Sequence, residues 1–174
     1  MTSPRTRRRA AAIAAALVAG FITLTACSNS TATTAAPGDG PVRVTSIDGK
    51  TISVPAAGEP TAVFFFSVGC GECVNGVRSL GEAATAADKA GTIATFLAVD
   101  LDPGETRQTI EEFMQHVDAE HVPAAIDTDA ALSQRFQVAA LSTLIVIDAD
   151  GKVTFRATDP SAETITAELV KAET

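Results

Sequence analysis

Beyond residue 41 the chain alternates short apolar runs with longer amphipathic stretches, and this pattern predicts strands and helices in turn. The apolar runs are rich in β-branched, aliphatic and aromatic residues; they cover residues 62–66, 93–99, 124–126 and 144–147. The amphipathic stretches show helical spacing or begin at a capping residue; they cover residues 74–90, 105–117, 130–136 and 161–171. Strands that alternate with helices predict an α/β sandwich whose central sheet is partly parallel.

Two Asp-Gly pairs predict tight turns that add antiparallel strands to this scheme. Asp48-Gly49 separates the alternating segments 42–45 and 51–54, which together predict a β-hairpin at the start of the folded region. A second pair at 150–151 follows the last apolar run and leads into a strand at 152–156. No internal repeat interrupts the order, so one globular domain is expected.

The first 41 residues predict a targeting segment followed by a tether. Four arginines among the first nine residues precede an uncharged apolar stretch, which is the order of a secretory signal and is too short to favour a spanning helix. Leu24-Thr25-Ala26-Cys27 resembles the lipobox of bacterial lipoproteins, which implies cleavage before Cys27 and lipidation of this cysteine. An ordinary cleavage site with a spare cysteine is the alternative. We therefore predict a lipoprotein signal peptide at 1–26, a flexible tether at 27–41 and a folded domain at 42–174.

The charge balance limits the partners of the mature protein. The chain has 13 basic and 21 acidic residues, and loss of the four signal arginines leaves a net charge of −12. Such a surface argues against nucleic acid and against anionic lipid as partners. Attachment to the membrane must then come from the lipid on Cys27.

Cys70-Gly71-Glu72-Cys73 is the main candidate for chemistry, because it directly follows a predicted strand and begins a predicted helix. The N-terminus of a helix stabilises a thiolate, which is the nucleophile of disulfide exchange. Cys70 is then the attacking thiol and Cys73 the resolving one. Two inert buried cysteines or half of a zinc site are the alternatives, although a closed zinc site needs four ligands and no second Cys-x-x-Cys is present. With Cys27 assigned to the lipid, no cysteine remains for a structural disulfide, which favours a redox or metal role.

The order of elements, with the Cys-x-x-Cys after a central strand, resembles the thioredoxin-like fold, and specifically the TlpA-like thiol-disulfide oxidoreductases and redoxins. The resemblance covers roughly residues 42–172. Local matches are Ile47-Asp48-Gly49-Lys50, Pro123-Ala124-Ala125-Ile126-Asp127, Phe136-Gln137-Val138, Leu141-Ser142-Thr143 and Ile147-Asp148 with Gly151. It implies a three-layer sandwich with a mixed central sheet between helices and an N-terminal β-hairpin.

The same resemblance implies a disulfide reductase outside the bacterial cell membrane, and the lipobox resemblance at Cys27 implies that lipid tethers it to the outer face of that membrane. Its catalytic residues would be Cys70 and Cys73, with no cofactor beyond this redox-active disulfide and no metal. The expected partners are a protein disulfide or thiol as substrate and a membrane-embedded electron donor, and the expected state is a monomer.

The chain departs from the family around the dithiol. Gly69 replaces a tryptophan, Glu72 a proline and Gly76 a glutamate that accepts protons in many members. We expect Gly69, Gly71 and Glu72 to tune the site. A carboxylate between two thiols should raise the pKa of the cysteines by like-charge repulsion and make the reduced pair a better reductant.

Ser142 stands where the family carries a cis-proline. Because a cis bond before a residue other than proline costs about 2.5–4 kcal/mol, we expect Leu141-Ser142 to be trans and the substrate groove lined by Ser142 and Thr143 to be reshaped. A serine here could also leave the dithiol open to a soft ion such as Cu(I), Zn(II) or Hg(II).

Two other functions compete with the reductase. A metal-binding or carrier lipoprotein would use Cys70 and Cys73 with His116 or His121. A thiol peroxidase is the second, since Ser67-Val68-Gly69-Cys70 resembles the end of the peroxiredoxin motif, although its proline position is Val63.

Overall fold

The structure is a computed structural model that describes residues 40–173, so the predicted signal peptide, Cys27 and most of the tether lie outside the described residues. Within this range the chain forms seven strands and four helices. In chain order they are β1 Val42–Thr45, β2 Thr51–Val54, β3 Thr61–Phe66, α1 Cys73–Ala90, β4 Thr95–Asp100, α2 Arg107–His116, β5 Ala124–Ile126, α3 Ala131–Arg135, β6 Thr143–Ile147, β7 Val153–Thr158 and α4 Ala162–Ala172. None of the helices within residues 40–173 is long and apolar enough to cross a membrane.

Five of the strands form one mixed sheet in the order β5-β4-β3-β6-β7. β3 is parallel to β4, and β4 to β5, whereas β6 is antiparallel to both β3 and β7. The central strand β3 is buried along its whole length. Its sequence is therefore apolar almost throughout rather than alternating, as in strands that are covered on both faces.

Alternate residues of β3 enter two separate cores. Phe64 and Phe66 belong to a larger core that includes buried residues of α1, α2 and α4. Val63 and Phe65 point to the other face and pack with α3 and the hairpin. Helices on both faces of a mixed sheet confirm the predicted three-layer thioredoxin-like sandwich.

The N-terminal hairpin is also confirmed. β1 and β2 pair antiparallel as a separate two-stranded sheet, with Val42 opposite Val54. Gly49 supplies the left-handed backbone of the turn, with φ +85°. Ser46 pairs with Ala125 of β5, which connects the hairpin to the edge of the main sheet.

Several element bounds differ from the prediction by one or two residues. β4 begins at Thr95 rather than at residue 93, because Gly91 ends α1 in a left-handed conformation and the chain then turns before it can pair. Ile93 is consequently 71% exposed. α2 begins at Arg107 rather than at residue 105, since the Thr106 side chain caps it by accepting the N–H of Thr109.

Candidate active site

The Cys-x-x-Cys pair lies where β3 turns into α1, as predicted. The backbone N–H of Cys70 donates to the carbonyl of Ser67, and that of Cys73 to the carbonyl of Cys70, both at 3.0 Å. α1 begins at Cys73 itself, one residue earlier than expected. The two cysteines form a disulfide with a Cα–Cα distance of 5.3 Å, inside the range that disulfides require.

The two sulfur-bearing residues differ in their access to solvent. Cys73 is fully buried in the larger core, whereas Cys70 is half-buried and packs against its rim. Which sulfur is attacked in disulfide exchange depends on access. An outside thiol therefore reaches Cys70 and not Cys73.

The glycines on either side of Cys70 expose backbone rather than bulky side chains. Gly69, Gly71 and Glu72 are all exposed. A Cβ added at Gly71 would meet nothing within 4 Å, and one at Gly69 only the Ser67 hydroxyl at 3.9 Å. Glu72 occupies the N-cap position of α1 without a side-chain cap hydrogen bond. Its field at the thiols is therefore screened by water, and its tuning role stays a prediction.

Gly76 lies in α1 one turn beyond Cys73, and a close neighbour requires it to be glycine. A Cβ at this position would overlap the ring of Phe64 and come within 2.9 Å of a carboxylate oxygen of Asp159. The ring of Phe64 thus fills the space into which any side chain at residue 76 would have to grow. The glutamate of the family has no room here.

Ser142 and Thr143 lie at the edge of the sheet that carries the dithiol, since Thr143 pairs with Phe65 near the end of β3. Among the described residues only the Val54–Pro55 bond is cis, so the Leu141–Ser142 bond is trans, as expected. Ser142 has a left-handed backbone with φ +59° and is 2% exposed, and its hydroxyl has no hydrogen-bond partner.

The side chains of Ser142 and Thr143 are buried and present no polar surface to a substrate. Thr143 is also buried, and its hydroxyl donates to the carbonyl of Ala140 at 2.8 Å. Leu141 is the exposed apolar residue of the loop. A groove formed here would consist of backbone and Leu141 more than of the Ser142 and Thr143 side chains, whose place in a substrate groove stays a prediction.

Two acids near the dithiol were missed by the sequence analysis. Asp100 ends β4 directly opposite Phe66 of β3 and has no exposed surface. One of its oxygens accepts the N–H of Asp102 at 2.9 Å, and the other has no donor. Burial raises the pKa of Asp100 to about 7; a hydrogen bond to the Glu105 side chain and repulsion from Glu105 and Asp102 act in the same direction.

Glu105 connects this acid to the loop before the cysteines. Its carboxylate accepts the N–H of Val68 at 3.0 and 3.1 Å, and the hydroxyl of Ser67 at 3.1 Å. The available signal was positional: Asp100 directly follows the predicted strand 93–99, and side chains at the carboxyl ends of parallel strands collect at one edge of the sheet.

The contacts of Ser67 also bear on the peroxidase alternative. Its hydroxyl donates to Glu105. Val63, which stands at the proline position of the peroxiredoxin motif, is a fully buried residue in the middle of β3. Ser67 thus anchors the loop before Cys70 through Glu105, and Val63 belongs to the core of the sheet.

Neither histidine lies beside the dithiol. His116 is the exposed last residue of α2. Nε2 of His121 lies 3.0 Å from the carbonyl oxygen of Gly81, which is about 12 Å along α1 from Cys73 at the helical rise per residue. Within residues 40–173 no group of three or more His, Cys, Asp or Glu side chains could hold a metal ion.

Known proteins resemble this chain in sequence and in fold. Residues 58–153, more than half of the chain, match the thioredoxin-like family. "Mercury resistance operon ORF3" of Streptomyces lividans is 59% identical over 129 residues, which is 74% of this chain and 68% of that protein.

Solved structures share the fold at lower identity. StoA from Bacillus subtilis has a TM-score of 0.65 at 18% identity, over 76% of this chain and 98% of that one. A thiol:disulfide interchange protein of the thioredoxin family from Chlorobium tepidum TLS has a TM-score of 0.65 at 20% identity, over 80% and 99%. The fold is thus thioredoxin-like, and the cysteine pair bonded at its strand-to-helix junction supports a thiol-disulfide oxidoreductase. By its family match over most of the folded region, this chain belongs to the thioredoxin-like family.

Proposed function

We propose that the protein is a membrane-tethered, extracytoplasmic thiol-disulfide reductase that acts through Cys70 and Cys73. The observation that carries this proposal is the unequal exposure of a bonded pair at the strand-to-helix junction, with Cys70 accessible and Cys73 buried. An accessible sulfur can form a mixed disulfide with a protein substrate, while a shielded neighbour can only react within the chain. The membrane tether is supported by the lipobox resemblance at Cys27.

The reaction proceeds in two exchanges. In the reduced protein the Cys70 thiolate attacks a substrate disulfide, forms a mixed disulfide and releases the first substrate sulfur as a thiolate. Cys73 then loses its proton and attacks the Cys70 sulfur, which forms the Cys70–Cys73 disulfide and releases the second substrate thiolate. Two electrons pass from the cysteine pair to the substrate, whose sulfurs take up protons from water. An external dithiol, which we place in a membrane-embedded donor, must reduce the pair again.

The local structure favours Cys70 as the nucleophile. Cys70 lies just before the 18-residue helix α1, whose first backbone N–H groups and dipole stabilise a negative charge. The exposed glycines on either side leave its approach open. We propose that an extended substrate segment lies across these glycines and the backbone of residues 141–143.

Trapping of the mixed disulfide tests the reductase. The reduced protein should reduce a test protein disulfide, and Cys70→Ser should abolish this. Cys73→Ser should accumulate a covalent complex with the substrate, because the resolving thiol is absent. The proposal is wrong if the purified protein neither reduces nor oxidises a test disulfide and Cys70→Ser changes nothing.

The tether is tested separately. When the full-length protein is made in a bacterium, Cys27→Ala should move it from the membrane fraction to the soluble fraction. Cys70→Ser, which leaves the lipobox intact, is the matched control and should stay with the membrane. Membrane association of Cys27→Ala equal to that of the wild type would refute the lipid anchor.

A soft metal ion is the second candidate ligand, favoured by the relative whose name refers to a mercury resistance operon. Once the disulfide is reduced, two thiolates suit a soft ion such as Hg(II), and two thiol protons leave on binding. Native mass spectrometry of the reduced protein with mercuric chloride and an excess of a competing monothiol should show one ion per chain, lost in Cys73→Ser, which cannot chelate it, and in the oxidised protein. If only apo protein is seen, the metal function is excluded and the reductase stands.

A further inference from the structure

We propose that Asp100 and Glu105 share one proton and thereby position the loop that carries Cys70, so that the reactivity of this thiol follows the protonation of the pair. The inference rests on the proposed function only for its biological use. The positioning itself concerns the reduced protein without any substrate.

The first argument is the free-energy cost of keeping a buried carboxylate ionised. Asp100 has no exposed surface, and its second oxygen has no donor among the described groups. A buried carboxylate that lacks hydrogen-bond donors is strongly disfavoured and takes up a proton instead. A proton on Asp100 can be donated to Glu105, whose side chain acts on Asp100 by a hydrogen bond and by its charge.

The second argument is the connection to the dithiol. Glu105 holds the N–H of Val68 and the hydroxyl of Ser67, and the carbonyl of Ser67 accepts the N–H of Cys70 at 3.0 Å. The acid pair is thus joined to the nucleophile through a short series of hydrogen bonds. Val68 also packs against the larger core, so this residue of the loop is held by the core on one side and by Glu105 on the other.

The third argument is the sign of the local charge. Asp100 is aligned with Phe66, which belongs to the same core as Cys73, so the acid lies on the face of the sheet that carries the dithiol. The charged groups that act on Asp100 are Glu105 and Asp102, and both are acids. With the shared proton the pair bears one negative charge; without it the pair bears two. A second charge disfavours a nearby thiolate and pushes the two carboxylates apart.

The titration of Cys70 tests the proposal. Reduced full-chain protein would be alkylated with iodoacetamide between pH 5 and pH 10, and modification of the Cys70 peptide followed by mass spectrometry. The wild type should show two inflections, one from Asp100 near neutral pH and one from the thiol. Asp100→Asn keeps the shape and the hydrogen bond but cannot lose the proton, so the first inflection should vanish. Alkylation at pH 8 should rise about three- to tenfold, because one pKa unit is a tenfold change in thiolate.

Matched variants separate charge from position. Glu72→Gln removes an exposed acid between the cysteines and should keep both inflections. Glu105→Gln leaves an oxygen for Val68 but removes the charge that repels an ionised Asp100, so the first inflection should remain and move to lower pH. A single inflection in the wild type, or an unchanged profile in Asp100→Asn, would overturn the proposal. Two inflections in a protein without reductase activity would refute the proposed function and leave this inference intact.

Discussion

Glu105 accepts the backbone N–H of Val68 with both of its carboxylate oxygens, at 3.0 and 3.1 Å, across a separation of 37 residues. The contact ties the segment after β4 to the turn before the dithiol. A carboxylate on a backbone N–H is a charge-assisted hydrogen bond and stronger than a neutral one. The geometry of the Cys70 loop is therefore set by a residue that lies outside the Cys-x-x-Cys motif.

Glu105→Ala should destabilise the protein, because it leaves the N–H of Val68 and the hydroxyl of Ser67 without their acceptor. We expect the free energy of unfolding to fall by about 1–3 kcal/mol, measured by urea denaturation of the oxidised protein. Glu105→Gln, which retains one acceptor oxygen, should lose less. Equal losses in both variants would show that the hydrogen bonds to the loop are not the cause.

The stability of the protein should depend on pH through Asp100. Its pKa is raised from 3.8 to about 7 in the folded state, so the folded chain binds more protons than the unfolded chain between these values. The free energy of unfolding therefore falls as pH rises across this window, by about 1.4 kcal/mol for each unit by which the pKa is raised. Above the window this contribution no longer changes with pH.

Asp100→Asn isolates this contribution, since it keeps the side-chain shape but does not titrate. The difference in unfolding free energy between the variant and the wild type should grow from pH 4 to pH 7 in favour of the variant. Glu111→Gln, at an exposed position of α2, should differ little from the wild type at any pH. A difference for Asp100→Asn that does not change with pH would contradict the raised pKa.

Gly76→Ala should destabilise the protein although alanine is the better helix former. The added Cβ overlaps the ring of Phe64, and overpacking of a core costs about 1–3 kcal/mol. Gly71→Ala is the control, because its Cβ would meet nothing within 4 Å, and it should lie within about 0.5 kcal/mol of the wild type. Thermal unfolding of the three proteins gives the comparison, and equal midpoints would refute the steric explanation.

Because the backbone of Ser142 is left-handed, we expect two substitutions there to change the free energy of unfolding in opposite directions. Ser142→Gly should raise the free energy of unfolding by about 0.5–1 kcal/mol, because glycine adopts φ +59° without strain. Ser142→Pro should lower it by more than about 1 kcal/mol, since proline requires φ near −65°.

Ser142→Ala separates the backbone from the hydroxyl at this position. It removes the unpartnered buried oxygen and keeps the strained φ, so it should be close to neutral or slightly stabilising. Urea denaturation measures all three variants. If Ser142→Pro were as stable as the wild type, the loop would be able to adopt the proline backbone, and the left-handed conformation would not be an intrinsic constraint.

The sequence by itself determined the features that depend on neighbouring residues. An apolar run followed by Cys-x-x-Cys and a helical pattern places the dithiol at a strand-to-helix junction, and Asp48-Gly49 specifies the turn of the hairpin. The unbroken apolar character of β3 indicates a strand covered on both faces, which favours the layered mixed sheet. These inferences need only local propensity and periodicity.

Only the tertiary structure decided which distant residues meet at the site. Asp100 and Glu105 reach the dithiol loop because β4 lies parallel to β3 in a particular register, and no local pattern distinguishes them from acids that end a strand in solvent. Likewise, nothing in the local sequence shows that residue 76 must be glycine, because the ring of Phe64 that excludes a side chain there comes from another strand. Burial and close approach are properties of pairs of residues far apart in the chain, so the chemistry around Cys70 and Cys73 is completed by packing rather than by the motif.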